Sequence, residues 1–250
     1  MPSRYPIRDP RTVARDIPGL LDIVFPRLSG GLVTSLNRRL FRFNGIDAMD
    51  ETVIAQSRQQ RSMLFEIAAA AAEIVIAEDR DPTFQECSLI ALDRQRRHFD
   101  ARTPSELSAI DQDLIRNATS NLLYMLRNFS EQRGINNIVV RPPIPGFGWI
   151  ASGVGDFCIG EVLVEVKHTD RNFIANDYRQ IILYWALKYA QATETSEPIW
   201  DHYLLLNPRL NRAVFGSFDS LMSAASGGLN RVEVYEYLRA TITSPSDVRK

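Results

Sequence analysis

Two carboxylates and a lysine lie close together in the sequence, at Asp156, Glu165 and Lys167. Carboxylate oxygens suit Mg²⁺ or Mn²⁺ rather than zinc. Such a cation neutralises charge on a phosphate group and lowers the pKa of a bound water, while an adjacent lysine orients the nucleophile or stabilises the developing negative charge. Lysine is scarce here, because Lys167, Lys188 and Lys250 are the only three among 29 basic residues. The three residues therefore indicate a candidate site for metal-dependent phosphoryl chemistry.

A β-hairpin is predicted to position these side chains. The turn 160–161 separates two strand-like runs, 155–159 and 162–167, and its first residue is the glycine that a type II′ turn requires. A two-residue loop in this register places Asp156 opposite Glu165. Like charges in facing positions destabilise a hairpin, so we expect a divalent cation or the neighbouring lysine ammonium between them.

The same register predicts which side chains share a face of the sheet. Alternation along the strands puts one apolar set on the core face, namely Phe157, Ile159, Val162, Val164 and Val166. The opposite face carries the candidate site, with Val154 opposite Lys167, and consists of Val154, Asp156, Cys158, Leu163, Glu165 and Lys167.

Together with the next predicted helix, these residues resemble the PD-(D/E)XK nuclease superfamily. The pattern is Asp156, then Glu165-Val166-Lys167, and Gln180-x-x-x-Tyr184 on the helix, an extension similar to the RecB-type branch. The resemblance covers about residues 136–240. It implies a restriction-endonuclease-like αβββαβ core with a mixed sheet, and metal-dependent cleavage of nucleic-acid phosphodiesters.

The resemblance also implies a role for each residue. Asp156, Glu165 and the main-chain carbonyl of Val166 would be the metal ligands, and Lys167 the catalytic lysine. Gln180 and Tyr184 would lie one helical turn apart, facing the site. The sequence departs from the family in two ways: Gly155 stands where proline is common, and no acid on the preceding helix is identified, with Glu106 and Glu131 as candidates.

Hydrophobic periodicity divides the chain into two predicted parts. Residues 1–104 read as a helical region, in which the apolar stretch 65–77 is a buried helix too short to span a membrane. Residues 105–250 read as the nuclease domain, with strands at 138–140, 202–206 and 231–237 beside the hairpin, a helix at 176–191 and a short helix at 218–225.

Composition excludes several other classes of protein. The formal net charge is −1, so no global field attracts nucleic acid. Two basic patches are candidate local phosphate contacts or solvated helix faces, namely Arg38, Arg39 and Arg42, and Arg94, Arg96, Arg97 and His98. Two cysteines, Cys87 and Cys158, do not build a disulfide framework. The charged, proline-containing start is unlike a signal peptide, and we expect a cytoplasmic protein without membrane contact.

The residues thus predict a Mg²⁺- or Mn²⁺-dependent nuclease, acting on DNA, with RNA as an alternative substrate. Folds of this kind serve restriction, phage defence and repair. A second hypothesis is a non-catalytic subunit that keeps the fold and binds nucleic acid or a protein, and a protein partner or a homo-oligomer fits either hypothesis. A third interpretation makes the hairpin an exposed strand face on which Glu165 and Lys167 only pair with neighbours. His168 is interpreted as structural because alternation turns it to the apolar face.

Overall fold

Helices form the first half of the chain. The structure, a computed structural model, describes residues 8–16, 18–95 and 106–243. Seven helices precede the first strand in these ranges: α1 (Pro10–Asp16), α2 (Pro18–Val24), α3 (Gly30–Asn37), α4 (Glu51–Ile54), α5 (Arg61–Glu78), α6 (Phe84–Gln95) and α7 (Ala109–Gln132). The predicted buried helix corresponds to α5. No helix in the described ranges is long and apolar enough to cross a membrane.

The second half of the chain builds the sheets. Its elements are β1 (Ile138–Val140), β2 (Pro143–Ile144), β3 (Gly153–Val154), β4 (Phe157–Ile159), β5 (Val162–Val166), α8 (Ala175–Thr195), β6 (His202–Asn207), β7 (Arg212–Ser217), α9 (Phe218–Ser226) and α10 (Arg231–Thr243). Five strands form a mixed sheet in the order β1-β4-β5-β6-β7, while β2 and β3 form a separate pair. Only β5 and β6 are parallel, and α8 makes the crossover that parallel neighbours need.

The predicted hairpin is confirmed in its turn and in three of its pairs. Gly160 has φ of 56°, which a type II′ turn requires at its first central position. Phe157 faces Val164, and the next two pairs follow in the predicted register up to the turn. All five residues of the predicted core face are buried in one cluster with the inner faces of α5 and α7.

The opposite face of the sheet packs against α8. Cys158, Leu163 and Leu205 from the sheet share a buried cluster with Tyr184 and Trp185 of that helix. Residues from α1, α2, α9 and α10 complete the same cluster. The sheet is therefore covered by helices on both faces, and its strands separate the apolar core under α5 and α7 from the layer in which Glu165 contacts α8.

Residues from both predicted regions share these cores. Val13 and Leu21 from the N-terminal helices pack in the same cluster as α8, and Phe43 packs with the strands of the sheet. The predicted division at residue 104 falls outside the described residues, and the two predicted regions stay a prediction.

Two predictions about the elements are wrong. The hairpin ladder ends at Phe157 and Val164, so the predicted pairings of Asp156 with Glu165 and of Val154 with Lys167 do not form. Val154 pairs with Pro143 in the small sheet, and the Lys167 N–H donates to the Leu206 carbonyl. The predicted strand 231–237 is part of α10.

The correction at α10 has a local physical reason. Asn230 accepts hydrogen bonds from the N–H groups of Val232 and Glu233, while the Glu233 carboxylate accepts from the Asn230 N–H, and these bonds form a capping box. Val234 and Leu238, four residues apart, are buried as on a helix. The cap and this spacing override the alternating valines and tyrosines that favoured a strand.

A buried asparagine joins the first half of the chain to the sheet. Asn211 follows β6 with φ of 47°, and its side chain accepts from the Phe43 N–H and donates to the carbonyls of Phe43 and Ile46. Three hydrogen bonds in a buried position hold the segment before α4 against the β6–β7 connection.

We expect Asn211→Gly to lower the free energy of unfolding by about 2–3 kcal/mol, because it leaves buried main-chain groups unpaired. Glycine tolerates the positive φ, so the change tests the side-chain bonds rather than the backbone. Urea denaturation measures the effect. The control is Asn128→Gly in α7, from whose loss of stability the helix-propensity cost of glycine is subtracted. A loss below about 0.5 kcal/mol, within the range of surface substitutions, contradicts this account.

Candidate active site

Glu165, Lys167 and Gln180 form one buried hydrogen-bonded group. Glu165 lies in β5 with 2% of its surface exposed, and its Oε1 accepts from Lys167 Nζ at 2.8 Å and from Gln180 Nε2 at 2.7 Å. Lys167 Nζ also donates to Gln180 Oε1 at 2.8 Å. The strand and the crossover helix thus bring together three of the predicted site residues.

The second carboxylate lies where the hairpin strands separate. Asp156 is one residue before β4, and its Oδ2 accepts from the Val166 N–H at 2.8 Å. The Asp156 carboxylate therefore accepts the hydrogen bond that a main-chain carbonyl of a longer β4 would accept from β5. The N–H and C=O groups of one strand residue point to the same edge, so the Val166 carbonyl also points to the edge next to Asp156.

The predicted helix residue Tyr184 joins the group from one turn further along α8. Its hydroxyl accepts from Gln180 Nε2 at 3.0 Å and from Arg11 Nε at 3.0 Å. Burial, and next the charge of Glu165, raise the pKa of Tyr184, so this hydroxyl stays protonated. All predicted site residues are therefore brought into one connected set.

Arg11 was missed in the sequence. It lies in α1, and its Nη2 donates to Asp156 Oδ1 at 2.7 Å. Sequence reasoning placed a divalent cation or the Lys167 ammonium between the two carboxylates. The structure instead gives each carboxylate its own cation, because Lys167 pairs with Glu165 and Arg11 pairs with Asp156. No local pattern links a residue 145 positions away to this site.

Two acids on α5 also approach the site from the opposite side. Glu66 and Glu73 line the same cleft as Asp156, and Arg94 of α6 binds Glu73 through both oxygens, at 3.0 and 2.5 Å. Burial, and next the charge of Asp156, raise the pKa of Glu66. The sequence signal was available: two acids seven residues apart interrupt an apolar helix on one face.

The acids proposed earlier for this position do not reach it. Glu106 and Glu131 are exposed, and neither lines the cleft. Glu66 is therefore the described helix acid in the cleft whose pKa is raised by burial and by the charge of Asp156.

A cleft opens beside Asp156. Its volume is about 380 Å³, within the range of ~300–1,000 Å³ for ligand clefts in proteins. Its wall carries charged side chains from five segments, among them Arg11, Glu66, Arg94, Arg141 and Asp156. Val166, whose N–H binds Asp156, also lines the cleft.

Glu165 carries the most perturbed carboxylate of this set. Burial, and next the charge of Asp156, raise its pKa to about 7, against the opposing effects of Lys167 and Arg11. Its Oε2 is buried and has no hydrogen-bond partner among the described residues. One oxygen is thus fully used and the other is free to receive a cation or a proton.

The other residues singled out in the sequence have structural surroundings. The His168 ring stacks on Phe65 at 4.8 Å and contacts Met49, and burial lowers its pKa to about 4. Cys158 is buried, accepts from Trp200 Nε1 and donates to the Gly160 carbonyl. Neither is aimed at the cleft, and both cysteines are free thiols.

The described residues contain no group of three or more His, Cys, Asp or Glu side chains arranged to hold a metal ion. The two carboxylates of the site remain a pair, completed only by main-chain oxygen or solvent.

Comparisons with known proteins add no assignment. No protein-family model, no curated protein and no solved structure matches the chain. The nuclease resemblance therefore stays a prediction from the residues quoted above.

The raised pKa of Glu165 predicts a pH dependence of stability. Between the ordinary value of 4.5 and about 7 the folded protein keeps a proton that the unfolded chain releases, so stability falls as pH rises through this window. We expect Glu165→Gln to remove this slope. The free energy of unfolding of the variant, relative to that of the wild type, should therefore rise by about 3 kcal/mol between about pH 4 and pH 8.

Urea denaturation in EDTA at several pH values measures the difference. Glu161→Gln, which changes an exposed acid in the turn of the same hairpin, is the control and should keep the wild-type slope. Parallel curves for the wild type and Glu165→Gln contradict a raised pKa.

Proposed function

We propose that this protein is a metal-dependent nuclease with a restriction-endonuclease-like core. The observation that carries the proposal is the buried Glu165 carboxylate near Asp156, which binds Lys167 and Gln180 through one oxygen while the other has no partner among the described residues. A lysine ammonium held by one carboxylate, with a second carboxylate nearby to help hold a cation, suits metal-dependent phosphodiester hydrolysis.

The order of elements supports the core that the resemblance implies. When the separate β2–β3 pair is set aside, the long helix α7 is followed by β1, β4 and β5 as antiparallel neighbours, then by α8 and by β6 parallel to β5. This is the sequence αβββαβ within a mixed sheet. The site lies at the end of β5, where its neighbour β4 stops.

The residues present fit a hard divalent cation. Glu165 offers a buried oxygen that no described residue binds, Asp156 offers a second carboxylate, and the Val166 carbonyl points to the edge next to Asp156. A bound Mg²⁺ or Mn²⁺ would supply a nucleophilic water and neutralise phosphate charge. Arg11 holds Asp156 Oδ1 in the structure, so this arginine must release that oxygen for Asp156 to bind a cation.

Each remaining residue has a role that follows from its contacts. The Lys167 ammonium binds Glu165 and Gln180, one residue beyond Val166 of the cleft, and in this proposal it stabilises negative charge on the substrate. Gln180 uses its amide oxygen for Lys167 and its amide nitrogen for Glu165 and Tyr184, and so fixes the position of the ammonium relative to the carboxylate. Lys167 is therefore a catalytic residue in this proposal, while Gln180 and Tyr184 are positioning residues.

One observation favours the second candidate, a non-catalytic subunit that binds nucleic acid or a protein. Arg11 and Lys167 balance the charges of Asp156 and Glu165 without any metal. A site of this kind would keep its ion pairs permanently. Metal uptake separates the two candidates, as tested below. DNA as the substrate, and a homo-oligomer or protein partner, remain proposals that cleavage and hydrodynamic measurements address.

We expect Lys167→Ala to lower the rate of nucleic-acid cleavage by at least about 100-fold, because the charge next to the reacting phosphate is lost. The assay uses supercoiled plasmid, linear duplex, single-stranded DNA and RNA, each with Mg²⁺, Mn²⁺ or EDTA. Lys188→Ala is the matched control, because Lys188 lies further along α8 and binds Gln191 and Glu197. This variant should leave the cleavage rate unchanged. Equal rates for the wild type and Lys167→Ala refute the catalytic role.

We expect calorimetry to detect Mn²⁺ binding that Asp156→Asn abolishes, because one of two carboxylates is lost. Arg11→Gln removes the cation that competes for Asp156 and should tighten Mn²⁺ binding. Asp113→Asn, which changes an exposed acid on α7, should bind as the wild type does. Absence of Asp156-dependent uptake would favour the non-catalytic candidate.

A further inference from the structure

Arg141 differs from the other cationic side chains of the cleft. The Arg11 guanidinium is bound by Asp156 and that of Arg94 by Glu73. Arg141 lines the same cleft half-buried, and no described residue forms a hydrogen bond or ion pair with its guanidinium. A guanidinium carries five donors, and in a partly buried position these normally find an acceptor.

The backbone at Arg141 is held in an unusual conformation. Its φ is 52°, a value uncommon for residues other than glycine, and Pro142 follows, which ordinarily drives the preceding residue to extended conformations. Two main-chain hydrogen bonds hold this backbone conformation, each at 2.9 Å. The Arg141 N–H donates to the Asp156 carbonyl, and the Gly155 N–H donates to the Pro142 carbonyl. Strained residues of this kind cluster at ligand sites.

These two bonds tie Arg141 to the segment that carries Asp156. A group bound by Arg141 therefore lies beside the candidate metal ligand rather than at a distant surface. The surroundings also favour an anion, since the guanidinium groups of Arg11 and Arg94 line the same cleft and repel that of Arg141, while the nearby acids Asp156 and Glu73 are already bound to them. An incoming negative charge would relieve this repulsion.

We propose that Arg141 binds a phosphate group of a nucleic-acid strand, next to Asp156 in the cleft. The planar guanidinium forms paired hydrogen bonds with two phosphate oxygens, which lysine does not reproduce. This inference rests on the proposed function for its choice of ligand. It adds a substrate-binding residue that the sequence pattern did not indicate.

The test measures binding separately from cleavage. A short fluorescein-labelled single-stranded DNA is titrated with the full chain in EDTA, where metal-dependent cleavage does not proceed, over a series of salt concentrations. We expect Arg141→Gln to weaken binding roughly 10- to 100-fold, as the loss of a charged hydrogen-bonding group does. The slope of log K against log salt should fall by about 0.7, the value for one phosphate contact on a single strand.

Two further variants make the result specific to the arginine and its position. Arg141→Lys should keep the salt slope but weaken binding, because the charge remains and the paired bonds are lost. Arg127→Gln removes the same charge from an exposed position on α7 outside the cleft and should change neither quantity. Thermal unfolding of each variant confirms that the fold is retained, and we expect Arg141→Gln to be no less stable than the wild type.

The outcomes separate this inference from the proposed function. Arg141-dependent binding with no cleavage under any metal supports the phosphate site and counts against the nuclease. Displacement of the DNA by inorganic phosphate alone, at equal affinity, identifies a free phosphate as the ligand of the site. Binding by Arg141→Gln within about twofold of the wild type with an unchanged slope, or no DNA binding by the wild type, overturns the inference.

Discussion

The arrangement of the site depends on one buried carboxylate. Glu165 lies in the middle layer of the protein, where an isolated charge is costly and the carboxylate is stabilised only by partners. β5 supplies Lys167 two residues along the strand, and α8 supplies Gln180 from the crossover helix. The strand, the helix and the connection between them must therefore keep one relative position, or the carboxylate loses both donors.

The end of the hairpin creates the cleft. β4 pairs with β5 only as far as Phe157, and beyond that residue the chain turns away to form the small sheet of β2 and β3. The Val166 N–H has no partner in β4 and donates to the Asp156 side chain instead. The carboxylate that could bind a cation therefore also completes the hydrogen bonding at the end of β5. Removing Asp156 thus affects the end of β5 as well as the charge of the cleft.

Sequence reasoning recovered what short-range geometry determines. The turn at Gly160 and the alternation of valines fixed the hairpin register and its core face, and helical spacing placed Gln180 and Tyr184 on one side of α8. It failed where contacts join distant segments. Arg11 reaches Asp156 from α1, and the strand β7 follows a turn held by Asn211 that local propensity did not reveal.

The near-neutral net charge of the chain conceals a local pattern. In the cleft, Asp156 pairs with Arg11 and Glu73 pairs with Arg94, and Glu165 behind it pairs with Lys167, so most charges of the site are matched inside the protein. Matched pairs attract neither a metal nor a phosphate until one partner moves. Among the described residues, the Glu165 Oε2 atom and the Arg141 guanidinium have no hydrogen-bond or ion-pair partner, and so depart from this balance. A cation at the first and an anion at the second would complete the charges of the cleft together, which is the combination that a metal ion and a phosphodiester bring to one site.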